Sequence, residues 1–347
     1  MPGAADRLCF GSVRSMTSGM TIGVIGAGGI APSHVSAWLE LGVDVISFST
    51  GGDAAQLCER FGITEVHSLP DLLAAADVVD VCTPTYTHPE LVLAAAAAGR
   101  HVICEKPLAL TSTQAQAMIT ACSEAGVHLY PAHVVRFFDA YAAAQRQVDS
   151  GGLGRIAVQR YLRMGSRPRV GWYADPALSG GIIFDLMIHD LDFARWICGD
   201  VTRVFARDTA NLDDPDASVS AHVIMTHASG AVSQCTGIWR PGGPFDTRFA
   251  IAGDQGNLNH ERSTYQPFRL DSVTETSDGG YVPSAQFSES PYLTEIREFL
   301  ESIAGGPAPR VSAADGLAAI RLAEAATESV RTGVAVSLTA AEEGSRV

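Results

Sequence analysis

The stretch that decides the fold of the N-terminal half is Thr21-Ile22-Gly23-Val24-Ile25-Gly26-Ala27-Gly28-Gly29-Ile30-Ala31. An apolar strand leads directly into a glycine-rich turn that opens a helix, which is the context that G-x-G-x-x-G/A requires. Gly26 permits the tight turn, Gly28 lets the backbone approach a pyrophosphate, and Ala31 keeps the helix close to the strand. We therefore predict a dinucleotide-binding turn that includes Gly29 and Ile30. The alternative is an ordinary βα turn that merely needs glycine.

Two patterns follow along the chain. Up to about Ala132, short apolar runs alternate with helical stretches, which is typical of parallel strands joined by crossover helices. After Gly151, longer alternating segments favour a sheet with one buried face, interrupted by one helix from Ile182 to Ile197. The predicted strands are Thr21–Ile25, Asp44–Phe48, Val78–Cys82, His101–Cys104, His128–Pro131, Ile156–Met164, Ser218–Thr226, Ala231–Trp239 and Arg248–Ala252. The other predicted helices are Pro32–Leu41, Ala54–Phe61, Pro89–Ala98, Thr113–Ala125, Pro291–Ala304 and Ala313–Thr332.

Composition excludes several classes of partner. The chain has 347 residues, of which 46% are apolar and 18% charged, so it can bury a core in two domains. A net charge of -14 without any Lys/Arg block argues against nucleic acid and membrane surfaces. Its 7 cysteines stand singly, which predicts a reducing compartment and no metal site. Without a signal peptide or a spanning segment, we predict a soluble, cytoplasmic protein.

The end of the second strand bears on the choice of cofactor. The sequence Phe48-Ser49-Thr50-Gly51-Gly52-Asp53 lacks, directly after the strand, the acidic residue that usually binds the ribose 2′-hydroxyl. Ser49 and Thr50 can hydrogen-bond either a ribose or a phosphate, and Asp53 is interpreted as a helix cap. The pattern slightly favours NADP and leaves NAD open.

Two groups of residues have chemistry to offer. Lys106 follows a buried strand at the carboxyl edge of the predicted parallel sheet, where such sheets bind ligands, and its ammonium suits a developing alkoxide. Asp185 and His189 are four apart, so on a helix they share one face, although a structural contact is the alternative. Asp190 and Asp192 are expected to point away from that face, as a solvated or capping edge.

Three segments, taken with the turn, resemble the glucose-fructose oxidoreductase, inositol dehydrogenase and rhizopine-catabolism family (Gfo/Idh/MocA) of sugar and polyol oxidoreductases. Their order and spacing cover about Thr21 to Gly199. They are Cys82-Thr83-Pro84-Thr85-Tyr86-Thr87-His88, Glu105-Lys106-Pro107, and Ser179-Gly180-Gly181-Ile182-Ile183-Phe184-Asp185-Leu186-Met187-Ile188-His189-Asp190.

The resemblance implies an α/β fold in which a Rossmann domain precedes an α+β domain with a large, mostly antiparallel open sheet. We place an extended or disordered segment at 1–20, the NAD(P)-binding domain at 21–134, and the substrate-binding and oligomerisation domain at 135–347. The last helix is expected to pack back on the N-terminal domain. The apolar alternation from Ser218 to Ala252 predicts a homodimer or homotetramer.

The resemblance also implies site roles. Lys106, Asp185 and His189 would meet beside the nicotinamide, and the Lys106-Pro107 bond would be cis. Thr83, Pro84, Thr85, His88 and Glu105 would line the dinucleotide. The expected activity is hydride transfer between nicotinamide and a secondary alcohol or ketone of a sugar or cyclic polyol, in either direction. A non-catalytic NAD(P)-sensing regulator on the same fold is the alternative.

Further residues are candidates for contact with the substrate. Each has an alternative: Trp172 and Tyr292 as core or subunit-contact aromatics, and Arg163 with its neighbouring arginines as a solvated strand edge. Convergent arginines would favour an acidic sugar. The candidates are His133, Arg136, Arg163, Trp172, Tyr173 and Tyr292.

Overall fold

A computed structural model describes residues 19–51, 54–167, 171–209, 217–242, 244–261 and 289–338. They form two compact units. The N-terminal unit contains 19–109, 113–138 and 289–317, and the C-terminal unit contains the rest. The predicted domain boundary at residue 134 stays a prediction. Most of the predicted segment 1–20, and the predicted cap at Asp53, lie outside the described residues.

The N-terminal unit is built on a six-stranded parallel sheet in the order β3-β2-β1-β4-β5-β6. Val78–Val81 is buried at every position, as expected where helices cover both faces of a parallel sheet. The strands are β1 (Thr21–Ile25), β2 (Asp44–Phe48), β3 (Thr64–Glu65), β4 (Val78–Val81), β5 (His101–Glu105) and β6 (Leu129–Ala132). The helices are α1 (Ala31–Leu41), α2 (Ala54–Phe61), α3 (Leu69–Ala75), α4 (His88–Ala97) and α5 (Ser112–Glu124), with short 3-10 helices at Thr85–Thr87 and Val134–Phe137.

The C-terminal unit contains a seven-stranded sheet in the order β12-β11-β7-β10-β9-β8-β13. Only β7 and β10 pair in parallel among its described strands, which confirms the mostly antiparallel sheet. The elements are α6 (Asp139–Asp149), β7 (Ile156–Ser166), α7 (Gly171–Ala174), α8 (Pro176–Ser179), a π-helix (Ile183–Met187), α9 (Ile188–Cys198), β8 (Val201–Asp208), β9 (Val219–His227), β10 (Val232–Arg240), β11 (Asp246–Gly253), β12 (Asn257–Glu261) and β13 (Val336–Ser337).

Two further helices are α10 (Pro291–Ile303) and α11 (Ala313–Thr332). Helix α10 returns to the N-terminal unit, where Ile296 and Phe299 join Trp38 of α1 in one hydrophobic cluster. Within the described ranges, no helix has both the length and the apolar character needed to cross a membrane.

Candidate functional site

The glycine-rich turn requires a glycine at position 26. The Gly26 amide donates to the Phe48 carbonyl at 2.8 Å, and its φ of 102° lies in the region that side chains rarely adopt. A Cβ there would stand 2.6 Å from the carbonyl oxygen of Cys82. The turn therefore brings β1, β2 and the end of β4 into close approach.

The next two glycines face open space. A Cβ on Gly28 or Gly29 would meet no described atom within 4 Å. Helix α1 then begins at Ala31, and in this described stretch neither a side-chain cap nor an acidic residue occupies its first turn. Backbone amides and a partial positive charge thus face an open surface, which fits the pyrophosphate of a dinucleotide.

The end of β2 offers hydroxyl groups. Ser49 is half-buried, and its Oγ accepts the Gly51 amide at 3.2 Å, which leaves its proton for another acceptor. Thr50 is exposed. The edge where a ribose 2′ group would lie is therefore uncharged from Ser49 to Gly51.

His88 joins two loops at the carboxyl edge of the parallel sheet. Its Nδ1 lies 2.9 Å from the Pro107 carbonyl oxygen and its Nε2 lies 2.9 Å from that of Thr83. Burial lowers the pKa of His88, while its hydrogen bonds to the two carbonyl groups raise it, and burial has the larger effect. The half-buried Pro84 and the buried Thr85 complete the loop. His88 thus connects the loop at Thr83–Thr85, which is predicted to line the dinucleotide, to the loop at Pro107.

Lys106 is held at the same edge. It is half-buried rather than a solvated surface lysine, and the Lys106-Pro107 bond is cis, as predicted. The buried Glu105 carboxylate accepts the Lys106 amide through Oε2 at 2.9 Å. The position of Lys106 in the N-terminal unit is therefore defined by its backbone contacts.

Asp185 and His189 lie in an irregular helical segment of the C-terminal unit. The predicted single helix is divided, because Ile183–Met187 has π-helical hydrogen bonding before α9 begins. Asp185 lies in the π turn and His189 in the first turn of α9, and only 5% and 7% of their surfaces are exposed. Single π turns within helices occur frequently at functional sites. Residues four apart still share a face there, so the predicted pairing is geometrically available.

The expected solvated edge at Asp190 and Asp192 is wrong. Both side chains are buried, and Asp190 forms a buried ion pair with Arg163. Arg163 also donates to the Tyr141 hydroxyl at 3.2 Å. Arg163 is therefore an internal residue of the C-terminal unit and not part of a solvated strand edge.

The other substrate candidates divide between the units. In the N-terminal unit, Arg136 is buried. It donates a hydrogen bond to the Arg310 carbonyl at 2.7 Å and forms an ion pair with Asp315 at 3.4 Å. His133 is buried. Tyr292 belongs to the hydrophobic cluster of α1 and α10, which agrees with the alternative that Tyr292 is a core aromatic. In the C-terminal unit, the rings of the half-buried Trp172 and Tyr173 stack with their centroids 3.7 Å apart.

Three buried polar residues of the N-terminal unit were not predicted from sequence. His34, Asp80 and Glu295 are each 0% exposed. The signals were present: Asp80 interrupts the apolar run of β4, and a carboxylate inside a buried strand needs a partner. His34 lies one turn into helix α1, which follows the dinucleotide turn.

The sequence matches two family models. The first is the oxidoreductase family with an NAD-binding Rossmann fold, over residues 20–133, and the second is the Gfo/Idh/MocA C-terminal domain, over residues 141–259.

Similar proteins agree with these matches. Myo-inositol 2-dehydrogenase of Thermotoga maritima is 31% identical over 92% of this chain and 98% of its own length. Inositol 2-dehydrogenase of Rhizobium meliloti is 30% identical over 89% of this chain and 96% of its own length. The solved structure of GenD2 from gentamicin A biosynthesis, in complex with NAD, has a TM-score of 0.80 at 25% identity and covers 92% of this chain and 97% of its own.

Fold, turn and comparisons together define an NAD(P)-dependent oxidoreductase that acts on CH–OH groups. The chain belongs to the Gfo/Idh/MocA family of oxidoreductases.

Proposed function

We propose that this enzyme reversibly oxidises a secondary alcohol of a sugar or cyclic polyol to the ketone, with Lys106, Asp185 and His189 as catalytic residues. The observation that carries the proposal is the burial of an acid and a histidine one turn apart on a π-containing segment. The inositol dehydrogenases among its relatives support a polyol substrate.

Each residue has a task that its chemistry suits. When bound, the nicotinamide accepts or returns the hydride. His189 takes the hydroxyl proton as the C–H bond breaks, and the Lys106 ammonium stabilises the charge that develops on oxygen. Asp185 orients the imidazole and the substrate hydroxyl. In the reverse direction, protonated His189 returns its proton to the carbonyl oxygen.

The choice between NAD, with a 2′-hydroxyl, and NADP, with a 2′-phosphate, stays a prediction. The uncharged edge at Ser49 and Thr50 supports the slight preference for NADP, because no carboxylate of 49–51 would repel a 2′-phosphate. The NAD held by GenD2 keeps NAD open for this chain.

We also propose a homodimer or homotetramer formed through the sheet of the C-terminal unit. Burial alternates along β9, and Ile224 on its outer face is 43% exposed. A partner subunit would cover Ile224 and the rest of this face. Light scattering at micromolar concentration should report a dimer or tetramer, and a monomer would refute the proposal.

A cytoplasmic location stays a prediction. It is supported by the six cysteines in the described part of the chain, none of which forms a disulfide.

The test of the proposed function is a dehydrogenase screen of sugars, inositols and sugar acids, with NAD and NADP in parallel. The proposal expects reduction of one cofactor with a cyclic polyol or sugar. Cofactor binding without turnover across the panel would contradict it and favour the regulator.

A further inference from the structure

A polar cluster is buried beneath the dinucleotide turn, wholly within the N-terminal unit. The His34 cluster consists of His34 on α1, Asp80 on β4 and Glu105 at the end of β5. His34 Nδ1 lies 3.0 Å from Asp80 Oδ2, and His34 Nε2 lies 3.1 Å from Glu105 Oε1. Trp38 Nε1 also donates to Asp80 Oδ2, at 2.7 Å. Both ring nitrogens of His34 thus face carboxylate oxygens, an arrangement that an imidazolium satisfies with two N–H donors.

The surrounding charges agree with an imidazolium. Burial alone lowers the pKa of His34, but the charge of Asp80 and its hydrogen bond raise that pKa well above the usual value. Burial raises the pKa of Cys82 to about 12, so the neighbouring thiol stays neutral. Burial likewise raises the pKa of Glu295 on α10. One positive charge thus lies between the two carboxylates of the cluster.

A metal ion is the competing use of these side chains. The ligand atoms of His34, Asp80 and Cys82 lie within 4.8 Å of one another. However, Nδ1 can bind a metal only through a lone pair, and in the imidazolium that lone pair carries a proton. The hydrogen-bonded arrangement therefore describes the cluster better than a metal centre does.

A hydrogen bond connects the cluster to the backbone amide of Lys106. Glu105 uses Oε1 for His34 and Oε2 for the Lys106 amide, at 2.9 Å. A carboxylate whose two oxygens have fixed partners cannot rotate without losing a charge-assisted hydrogen bond. The helix that begins at the dinucleotide turn is thereby connected through two side chains to the lysine.

We propose that His34 and Glu105 are positioning residues that fix the Lys106 backbone and so direct its ammonium relative to the bound dinucleotide. The inference rests on the catalytic role proposed for Lys106. It assigns Glu105 a task other than lining the cofactor, and it gives His34, which the sequence analysis did not single out, a part in catalysis.

The test is a double-mutant cycle between Glu105→Gln and Lys106→Met, using a substrate found in the screen. Gln keeps the size of Glu but cannot accept from both partners with both of its terminal atoms. We expect Glu105→Gln to lower kcat about 10- to 100-fold, the scale of a small misplacement, while cofactor Kd changes less than about threefold. In the Lys106→Met background the same change should lower kcat less than about threefold, because the group that it positions is gone.

His34→Gln is the second variant, with the same expectation. Tyr130→Phe is the matched control, since it removes another hydrogen bond of this unit, the partly buried one to Ser302, and should leave kcat unchanged. Equal losses in both backgrounds, a loss confined to cofactor affinity, unchanged kcat, or failure of both variants to fold would each overturn the proposal. Full turnover by Lys106→Met would instead overturn the proposed function itself.

Discussion

Arg163 binds Asp190 through two hydrogen bonds inside the C-terminal unit, with Nε 3.0 Å from Oδ2 and Nη2 2.8 Å from Oδ1. The two side chains are 3% and 1% exposed. Because Asp190 directly follows His189, this pair fixes the start of α9 against β7. The orientation of the proposed general base thus depends on an ion pair that does not itself need to touch the substrate.

Removing one partner of this pair should destabilise the protein strongly. Arg163→Met leaves a buried carboxylate without its cation, and we expect a loss of about 3–5 kcal/mol in the free energy of unfolding. Arg163→Met with Asp190→Leu should lose clearly less than the sum of the single changes. Urea unfolding measures both. A stable Arg163→Met protein with a raised KM would instead assign Arg163 to the substrate, as the sequence suggested.

The two glycines of the turn should respond differently to alanine. At Gly28 an added Cβ meets no described atom, so we expect the free energy of unfolding to change by less than about 1 kcal/mol. The methyl group would stand where a pyrophosphate approaches, and cofactor Kd should rise at least about tenfold. Fluorescence titration with NADH or NADPH measures this rise. Unchanged affinity in Gly28→Ala would place the dinucleotide elsewhere.

Gly26→Ala is the matched comparison. Its Cβ would clash with the Cys82 carbonyl, and its positive φ is unfavourable for alanine. We expect both stability and cofactor binding to fall. Wild-type stability in this variant would show that the turn does not require its close approach to β4.

Glu295 should make stability depend on pH. In the described part of the chain neither of its carboxyl oxygens has a hydrogen-bond partner, and burial raises its pKa well above 4.5. Between the unfolded-state pKa and the higher folded-state pKa, only the folded state keeps the Glu295 proton. The contribution of Glu295 to the free energy of unfolding therefore falls as pH rises through this window.

Glu295→Gln removes that titration while keeping a neutral side chain of the same size. The variant should match the wild type near pH 4.5 and exceed its free energy of unfolding at pH 8 by about 1 kcal/mol or more. Urea unfolding across this range measures the difference. Glu124→Gln, at an exposed helix end, is the control and should show no such trend. A constant difference between Glu295→Gln and wild type would contradict an ionisable buried carboxyl.

Local patterns predicted much of this fold. The turn and the strands β1 and β2 have the predicted bounds, because apolar runs, glycines and helix starts are encoded within a few residues. The missed strand β3 has only two residues, and β8 has exposed positions that break its alternation. The π turn was also missed, since a shift in hydrogen bonding leaves little trace in periodicity.

Residue pairs that lie far apart in the sequence could not be predicted for the candidate site. His34 and Glu105 are 71 positions apart, and Arg163 and Asp190 are 27 apart. Each pair depends on how strands and helices align in three dimensions, which no window of sequence contains. The sequence therefore indicates which side chains have suitable chemistry, but not which of them neutralise one another.

We propose His189 as the general base of a polyol or sugar dehydrogenase. The most direct test of this role is the turnover of His189→Ala with a verified substrate, beside His67→Ala as an exposed-histidine control. We predict that kcat falls by about two to four orders of magnitude in His189→Ala while cofactor affinity is kept, and that His67→Ala is unaffected. Wild-type turnover by His189→Ala would contradict the assignment.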